Sequence, residues 1–319
     1  MSLPVPLLAP PTGWLRPPAQ DYQALIEQPA AMRIGSDEHK LLFCESFIES
    51  HRLYDATRLP WPELNEADLA RLRAIPFWRT ALAVETNAGR LVTAFADTIE
   101  DPLIRSAVAL QGREEARHAA LIGAMIERYQ LPVVPRPLEP PRTTTRVFTD
   151  FGYEECLDAY FGFGLFGVAQ QVSYFSADFM QIFEPLLQEE TRHIVFFVNW
   201  VAYERARRGY SFMVPFLTAY GYLRALGRLI VTARSASHDG TGFIATGSEQ
   251  MISGLTLNGF LVSCKEQNVR FMNAIDKRLL RPRVIPAIGN ALIPLDFVFG
   301  SIVRFVAAVR GGALTARAQ

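Results

Sequence analysis

Cysteine is scarce in this sequence. The 319 residues include only Cys44, Cys156 and Cys264, which lie far apart and form no Cys-x-x-Cys pair. This usage argues against a disulfide framework or a thiolate-bound zinc or iron site, and it favours a reducing, cytoplasmic compartment. An excess of basic charge is also missing, since 32 lysines and arginines balance 32 acidic residues. We therefore expect no nucleic-acid partner, because nucleic-acid binding needs a basic excess or a basic face.

The sequence also lacks a convincing membrane-spanning run and a secretory signal. An uncharged stretch from Ala159 to Ala177 is interrupted by Gln170, Gln171 and Ser173, and a buried helix explains it better than a bilayer span. The first twenty residues contain six prolines and no basic start before an apolar core, unlike a signal peptide. We predict no membrane span, while peripheral contact with lipid stays open.

Helical periodicity dominates the sequence, and no alternating strand pattern with hairpin turns occurs, so the predicted fold class is all-α. Helices are predicted at about Asp37 to Tyr54, Glu63 to Arg73, Pro76 to Asp97, Pro102 onward, Phe151 to Tyr174, Asp178 to Arg208, Phe212 to Arg234, Glu249 to Lys277 and Val284 to Arg310. A proline-rich connection at Leu131 to Val147 separates the four central helices into two pairs, and Pro185 suggests a kink. We expect three parts, with an arm and bracing helices in 1–76, a bundle in 77–208 and an extension in 209–319.

The C-terminal extension has two open interpretations. Its apolar helices either roof the bundle or form the face of a homodimer. The segment Ser235 to Gly247 is predicted to be a loop, and it carries no phosphate-binding signature.

The strongest signal is a repeated pattern, Glu-Glu-x-Arg-His, which occurs at 114–118 and again at 189–193. A glutamate and a histidine three positions apart on a helix point the same way. Each copy also interrupts an apolar stripe, where unpaired charges carry a heavy desolvation cost. Two divalent cations would offset that cost, so the doubled motif predicts a dinuclear metal site.

Each motif helix should follow a helix that donates one more carboxylate. In the first pair this donor is Glu85. In the second pair Glu154, Glu155 and Asp158 are all candidates. We choose Glu155 because it shares a helical stripe with Phe151, and Asp158 is either a ligand or a group that supports one. The predicted metal ligands are Glu85, Glu115, His118, Glu155, Glu190 and His193.

This arrangement over roughly residues 77–208 resembles the ferritin-like di-iron carboxylate superfamily. The resemblance implies a ferritin-like four-helix bundle with additional terminal helices, and hydrogen bonds from the ligand histidines to Glu114 and Glu189. It also implies two iron ions that react with O2, a substrate in an adjoining apolar pocket, and an external electron donor such as a ferredoxin or a reductase. Manganese, or a mixed Mn/Fe pair, is an open alternative because the same ligands accept it.

Two branches of that superfamily fit the sequence poorly. A ribonucleotide reductase small subunit would have a tyrosine where this chain has Ile122, and an arylamine N-oxygenase would have a histidine at Leu186. An oxidase or oxygenase acting on a small, largely apolar organic molecule is therefore the expected function. The alternative is a metal-binding or ferroxidase protein without an organic substrate.

Several other side chains invite an interpretation. Tyr160, Phe161, Phe163 and Phe166, with the glycines between them, suggest an aromatic cavity beside the metals, although the glycines would equally permit close helix packing. Arg117 and Arg192 are expected to form ion pairs with neighbours on their own helices. The remaining histidines, which are His39, His51 and His238, are expected on the surface or as satisfied core residues.

Overall fold

The computed structural model describes residues 32–75, 77–133, 140–141, 143–239 and 256–293, without the side chains of 230 and 232–239. All regular structure in these residues is helical, which confirms the predicted class. The α-helices are α1 Asp37–Glu49, α2 Glu66–Ala74, α3 Trp78–Ala96, α4 Pro102–Tyr129, α5 Thr145–Gln171, α6 Ala177–Gln181, α7 Glu184–Arg207, α8 Val214–Asp239, α9 Leu257–Asn273 and α10 at 284–293. Residues 1–31 of the predicted arm, residues 134–139 and 142 of the proline-rich connection, and the predicted helical residues 249–255 and 294–310 lie outside the described residues.

The first two central helices, α3 and α4, lie where residues that begin and end helices occur in the sequence. Helix α4 begins at Pro102, which suits a first helical turn, and the Asp101 side chain accepts hydrogen bonds from the backbone amides of Leu103 and Ile104. Helix α4 ends where Gln130 adopts a left-handed conformation, with φ of 51°. The start of α4 confirms the predicted position, and α3, at Trp78–Ala96, lies within the predicted range Pro76 to Asp97.

Other predicted boundaries were wrong for local reasons. Helix α5 begins at Thr145 rather than Phe151, because the Thr144 hydroxyl caps the amide of Val147. The helix expected from Asp178 is not kinked but divided into α6 and α7, with Pro185 in the first turn of α7. Helix α8 continues to Asp239, so the first part of the loop predicted from Ser235 is helical.

Helix α1 ends at Glu49 instead of continuing to Tyr54. The Ser50 hydroxyl bonds back to the carbonyl of Ser46 at 2.6 Å, and a chain segment without helical structure follows. Because the helix ends early, the chain after residue 49 changes direction, and the side chains of His51 and Tyr54 contact buried acids in the interior.

Helices α3 and α4 pack closely along their length, and glycines allow this approach. A Cβ atom at Gly89 would lie 3.0 Å from the backbone nitrogen of Ala116, and one at Gly112 would lie 2.9 Å from that of Thr93. Helix α5 contacts α7, and α8 and α9 pack against α5. The close α3–α4 approach brings Glu85 to the first motif.

We expect Gly112→Ala to lower the free energy of unfolding by about 1–3 kcal/mol, because the added methyl group overpacks the contact with Thr93. Gly123→Ala is the matched control on the same helix, since open space surrounds that position. Alanine there should be neutral or stabilise by about 0.5–1 kcal/mol. Urea unfolding of the metal-free protein measures both changes, and equal effects would contradict the close packing.

Candidate metal centre

The two repeated motifs meet in the interior. Helix α4 contributes Glu115 and His118, and helix α7 contributes Glu190 and His193. The His118 Nδ1 atom lies 2.9 Å from Glu190 Oε1, and His193 Nδ1 lies 3.0 Å from Glu115 Oε1. All four residues are buried, and each offers a ligand atom within 4.8 Å of the others. This convergence confirms that the motifs share one cluster.

Four of the atoms that face this cluster lie within ion-pair distance of a neighbouring ligand atom but have no hydrogen bond. Among the described residues, Glu115 Oε2, His118 Nδ1, Glu190 Oε2 and His193 Nδ1 are buried without a hydrogen-bond partner. Buried polar atoms in folded proteins almost always have partners, so this concentration of exceptions needs a cause. Carboxylate oxygens and imidazole nitrogens together suit iron or manganese. The group can hold a metal ion.

Glu85 of α3 borders the same cluster. Its Oε2 atom lies 3.5 Å from His118 Nδ1. Burial raises the pKa of Glu85 to about 7; His118 opposes this shift, and the charges of Glu190 and Glu115 reinforce it.

The three acidic candidates on α5 have different surroundings. Glu154 pairs with Arg228 of α8. Burial, followed by the charges of Glu190, Glu115 and Glu85, raises the pKa of Glu155 well above its usual value. Burial also raises the pKa of Asp158 to about 7, with Glu154 and Glu190 contributing. The charges of three predicted ligands therefore act on Glu155, whereas the charge of only one of them, Glu190, acts on Asp158. Glu155 stays the ligand that we predict on α5.

Two further acids bind the histidines through Nε2, the ring nitrogen that faces away from the cluster. His118 Nε2 lies 3.0 Å from Glu189 Oε2, and His193 Nε2 lies 2.8 Å from Glu114 Oε2. The acid of each motif therefore binds the histidine of the other motif. When Nε2–H donates to the carboxylate, the lone pair of Nδ1 points into the cluster, as metal binding requires. The predicted hydrogen bonds are confirmed, and their crossed arrangement is new.

The motif arginines also cross between the helices. Arg192 donates to Glu114 Oε1 at 2.9 Å, and Arg117 donates to Glu189 Oε1. Pairs within one helix were predicted, but Arg117 lies 3.8 Å from Glu114 on its own helix and bonds Glu189 instead. Each arginine pairs across the helices because a buried carboxylate without a nearby positive charge carries a large desolvation cost.

The segment from Phe47 to Tyr54 completes this outer layer. His51 Nδ1 lies 2.5 Å from Glu114 Oε1, and the Tyr54 hydroxyl donates to Glu189 Oε2 at 3.3 Å. The guanidinium of Arg117 lies 4.3 Å from the ring centre of Tyr54, and that of Arg192 lies 4.6 Å from that of Phe47. These functional contacts were missed, because no local spacing connects residues 47–54 with the motifs.

The three histidines outside the motifs have different surroundings from one another. His51 is neither a surface residue nor a plain core residue, because it bonds a carboxylate of the candidate centre. His39 is a satisfied core residue, as predicted, with Nε2 lying 3.1 Å from Asn199 Oδ1. The side chain of His238 lies outside the described residues.

The carboxylates around His118 and His193 govern the pKa values of both histidines. Burial alone would lower the pKa values of His118 and His193, but the surrounding carboxylates outweigh it and raise both well above the usual value. Burial would raise the pKa of Glu115, but His193 and His118 outweigh it and lower that pKa. Metal binding must therefore displace protons, and metal affinity should rise with pH.

The metal-free protein should become less stable as pH rises. The pKa of Glu85 is about 7 in the folded state and 4.5 in its ordinary state, so its protonated form favours folding. That contribution is complete below about pH 4.5 and is lost as pH rises through about 7. We expect Tm to fall by about 5 °C between pH 5 and pH 8, and to fall less in Glu85→Gln. Calorimetry of the metal-free protein checks this, and a rise in Tm would contradict it.

The aromatic residues of α5 pack against other rings. Phe163 lies 4.6 Å from Phe271, and Phe166 lies 5.4 Å from Phe183, measured between ring centres. A Cβ atom at Gly164 would lie 3.0 Å from the backbone of Cys264, so this glycine serves the packing of α9. Of the two interpretations left open, these contacts favour close helix packing over an aromatic cavity beside α5.

A cavity of about 410 Å³ lies instead between α1, α7 and the end of α9. Its wall includes Phe47, Glu189 and Arg192, so it reaches the outer layer of the centre. Phe43, Phe196 and Phe271 contribute an apolar part of the lining. Such a volume falls within the range of small-molecule pockets.

No helix of the described residues is both long and apolar enough to cross a membrane. Comparisons of the chain with profiles of known protein families, with curated proteins and with solved structures gave no match.

Proposed function

We propose that this protein is a ferritin-like di-iron oxidase or oxygenase, which uses O2 to oxidise a small, largely apolar organic molecule. The observation that carries the proposal is the buried convergence of Glu115, His118, Glu190 and His193, with unpartnered donor atoms directed at one another. Glu85 and Glu155 complete the proposed ligand set, which balances four carboxylates against two divalent cations.

The helix arrangement supports the same proposal. Helices α3 and α4 form one pair and α5 and α7 the other, and the second helix of each pair carries a Glu-x-x-His motif. This is the order of ligands expected in a ferritin-like four-helix bundle. The additional helices α1, α8 and α9 surround it, and α1 leads into the segment that supports the ligands.

The bound metal ions would supply the electrons that reduce O2. The residues of the chain have separate tasks around them. Glu114 and Glu189 hold the imidazoles in the orientation that directs Nδ1 to the metals. Arg192 and Arg117 neutralise these acids, and the rings of Phe47 and Tyr54 cover the guanidinium groups. An external ferredoxin or reductase would restore the reduced state between turnovers.

A second candidate is iron oxidation without an organic substrate. It is favoured by the burial of the four central residues, none of which lines the 410 Å³ cavity. A di-manganese or mixed Mn/Fe centre would use the same ligands, and elemental analysis of protein from its native host separates these metals.

Oxygen exposure after anaerobic loading with ferrous iron tests the proposed function. We expect O2 to oxidise the iron already bound and then stop until a reductant is added, because an oxygenase reuses its metals. A ferroxidase would keep oxidising added ferrous iron. Stopped-flow absorbance and O2 electrode traces distinguish the two, and absence of any O2 consumption by the loaded protein would contradict both.

A further inference from the structure

The outer face of α8 is apolar and exposed. Phe216 is 74% exposed and Leu223 is 67% exposed, and Tyr220 and Leu226 lie on the same side of the helix. Phe212, in the short 3-10 helix Ser211–Met213 just before α8, is 76% exposed. Positions three and four apart share one helix face, so these side chains form a continuous stripe. We call Phe212, Phe216, Tyr220, Leu223 and Leu226 the α8 stripe.

The opposite face of α8 is already occupied. Tyr222 and Ala225 are buried, and the ring of Tyr222 packs at 4.8 Å from that of Tyr153 on α5. Helix α8 is therefore apolar on both faces. A helix of that kind is normally covered on both sides, which indicates that the α8 stripe has a binding partner.

Charge around the stripe helps to identify that partner. Arg224 pairs with Asp150 at 2.6 Å, and Arg228 pairs with Asp150 and Glu154 on α5. These guanidinium groups are neutralised, so they offer little attraction to anionic lipid headgroups. For the same reason they do not repel an identical surface. The electrostatics favour a second copy of the chain over a lipid surface.

The size of the stripe also fits a dimer. Side chains of these types and exposures present about 600 Å² of apolar surface per chain, and about 1,200 Å² from two copies. That total reaches the lower end of the range for stable protein interfaces. The apolar area on one chain, about 600 Å², also matches or exceeds the largest apolar patch on typical monomers.

Ala219 lies at the middle of the stripe, halfway between Phe212 and Leu226, and it is exposed. Its side chain is a single methyl group, so two helices can approach closely at this point. A two-fold axis beside Ala219 that places the two copies of α8 antiparallel brings Phe212 of one chain beside Leu226 of the other, and Phe216 close to Leu223.

From the exposed stripe, its neutral border and its area, we propose that α8 forms the interface of a homodimer. Phe216 and Leu223 of each copy pack against the stripe of the other copy, on either side of Ala219. This surface consists of residues outside the proposed ligand set and its outer layer, so the dimer does not depend on the proposed function.

Sedimentation velocity of the full-length protein tests the proposal. We expect a dimer at micromolar concentration, and a rise in Kd of at least about 100-fold in Phe216→Asp/Leu223→Asp, because the new charges would be buried unpaired. Val269→Asp is the matched control, since Val269 is an exposed apolar residue of α9 outside the stripe. Metal content and circular dichroism should be the same for all three proteins.

Crosslinking keeps the test informative if the double variant fails to fold. Ala219→Cys should form an intermolecular disulfide under mild oxidation, because the two-fold axis places the two new thiols side by side. Gly123→Cys, at an open glycine of α4, should not form one. The native cysteines are buried. A monomeric wild-type chain would overturn the proposal. Binding of anionic vesicles by that monomer would assign the stripe to a lipid surface, and absence of such binding would indicate that another part of the chain covers it. Persistence of the dimer in the double variant, or failure of Ala219→Cys to crosslink, would overturn it as well.

Discussion

His193→Ala is expected to lower bound ferrous iron from two equivalents per chain to one or fewer. It should also slow O2 consumption by at least about 100-fold, a loss typical of residues that act as one catalytic unit. The physical reason is that the variant removes the Nδ1 donor facing Glu115 and the Nε2 donor that satisfies Glu114. Glu115 then lacks the imidazole that faces it, and Glu114 Oε2 lacks its hydrogen-bond donor.

His39→Ala is the matched control for this experiment. It also removes a buried imidazole, but that ring bonds Asn199 outside the candidate centre. The control should keep its metal and its O2 consumption even if it loses stability. Elemental analysis after anaerobic loading and desalting measures the metal, and two equivalents in His193→Ala would contradict the assignment of this residue.

Glu114→Ala should be the most destabilising change in the outer layer. Glu114 is fully buried and binds Arg192, His51 and His193. Alanine would leave the buried guanidinium of Arg192 without its carboxylate partner, and breaking a buried ion pair in this way costs about 3–5 kcal/mol. Urea unfolding of the metal-free protein measures the loss.

A double variant separates the ion pair from simple loss of volume. Glu114→Leu combined with Arg192→Met should recover the part of the loss that comes from the ion pair, because it removes both charges and keeps apolar volume. The hydrogen bonds of Glu114 to His51 and His193 stay lost in this variant. Glu127→Ala, at an exposed acid on the same helix, should change the free energy of unfolding by less than about 0.5 kcal/mol. A double variant as unstable as Glu114→Ala would show that the charge pair is not the cause.

The parts of the fold that were predictable are those governed by local rules. Pro102 and the Asp101 cap define the start of α4 from the sequence alone. The spacing of Glu115 and His118 likewise predicts a shared helix face, and the second copy predicts a partner for it. Convergence of the two motifs followed because a buried acid needs compensation that a single helix does not provide.

The parts that were not predictable depend on contacts between distant segments. The early end of α1 places His51 and Tyr54 against Glu114 and Glu189, and nothing in the spacing of those residues indicates it. The crossed pairing of Arg192 with Glu114 arises from the packing of α4 against α7 rather than from neighbours within a helix. Division of the fourth central helix followed from Pro185, whose position suits a helix start as well as a kink.

Anomalous diffraction from crystals loaded anaerobically with Mn²⁺ tests the central claim most directly. We expect two manganese peaks, about 3.5–4 Å apart, between the Nδ1 atoms of His118 and His193 and contacted by Glu115 and Glu190. Absence of manganese among these four side chains at full loading, or binding only elsewhere on the protein, would contradict a buried dinuclear centre.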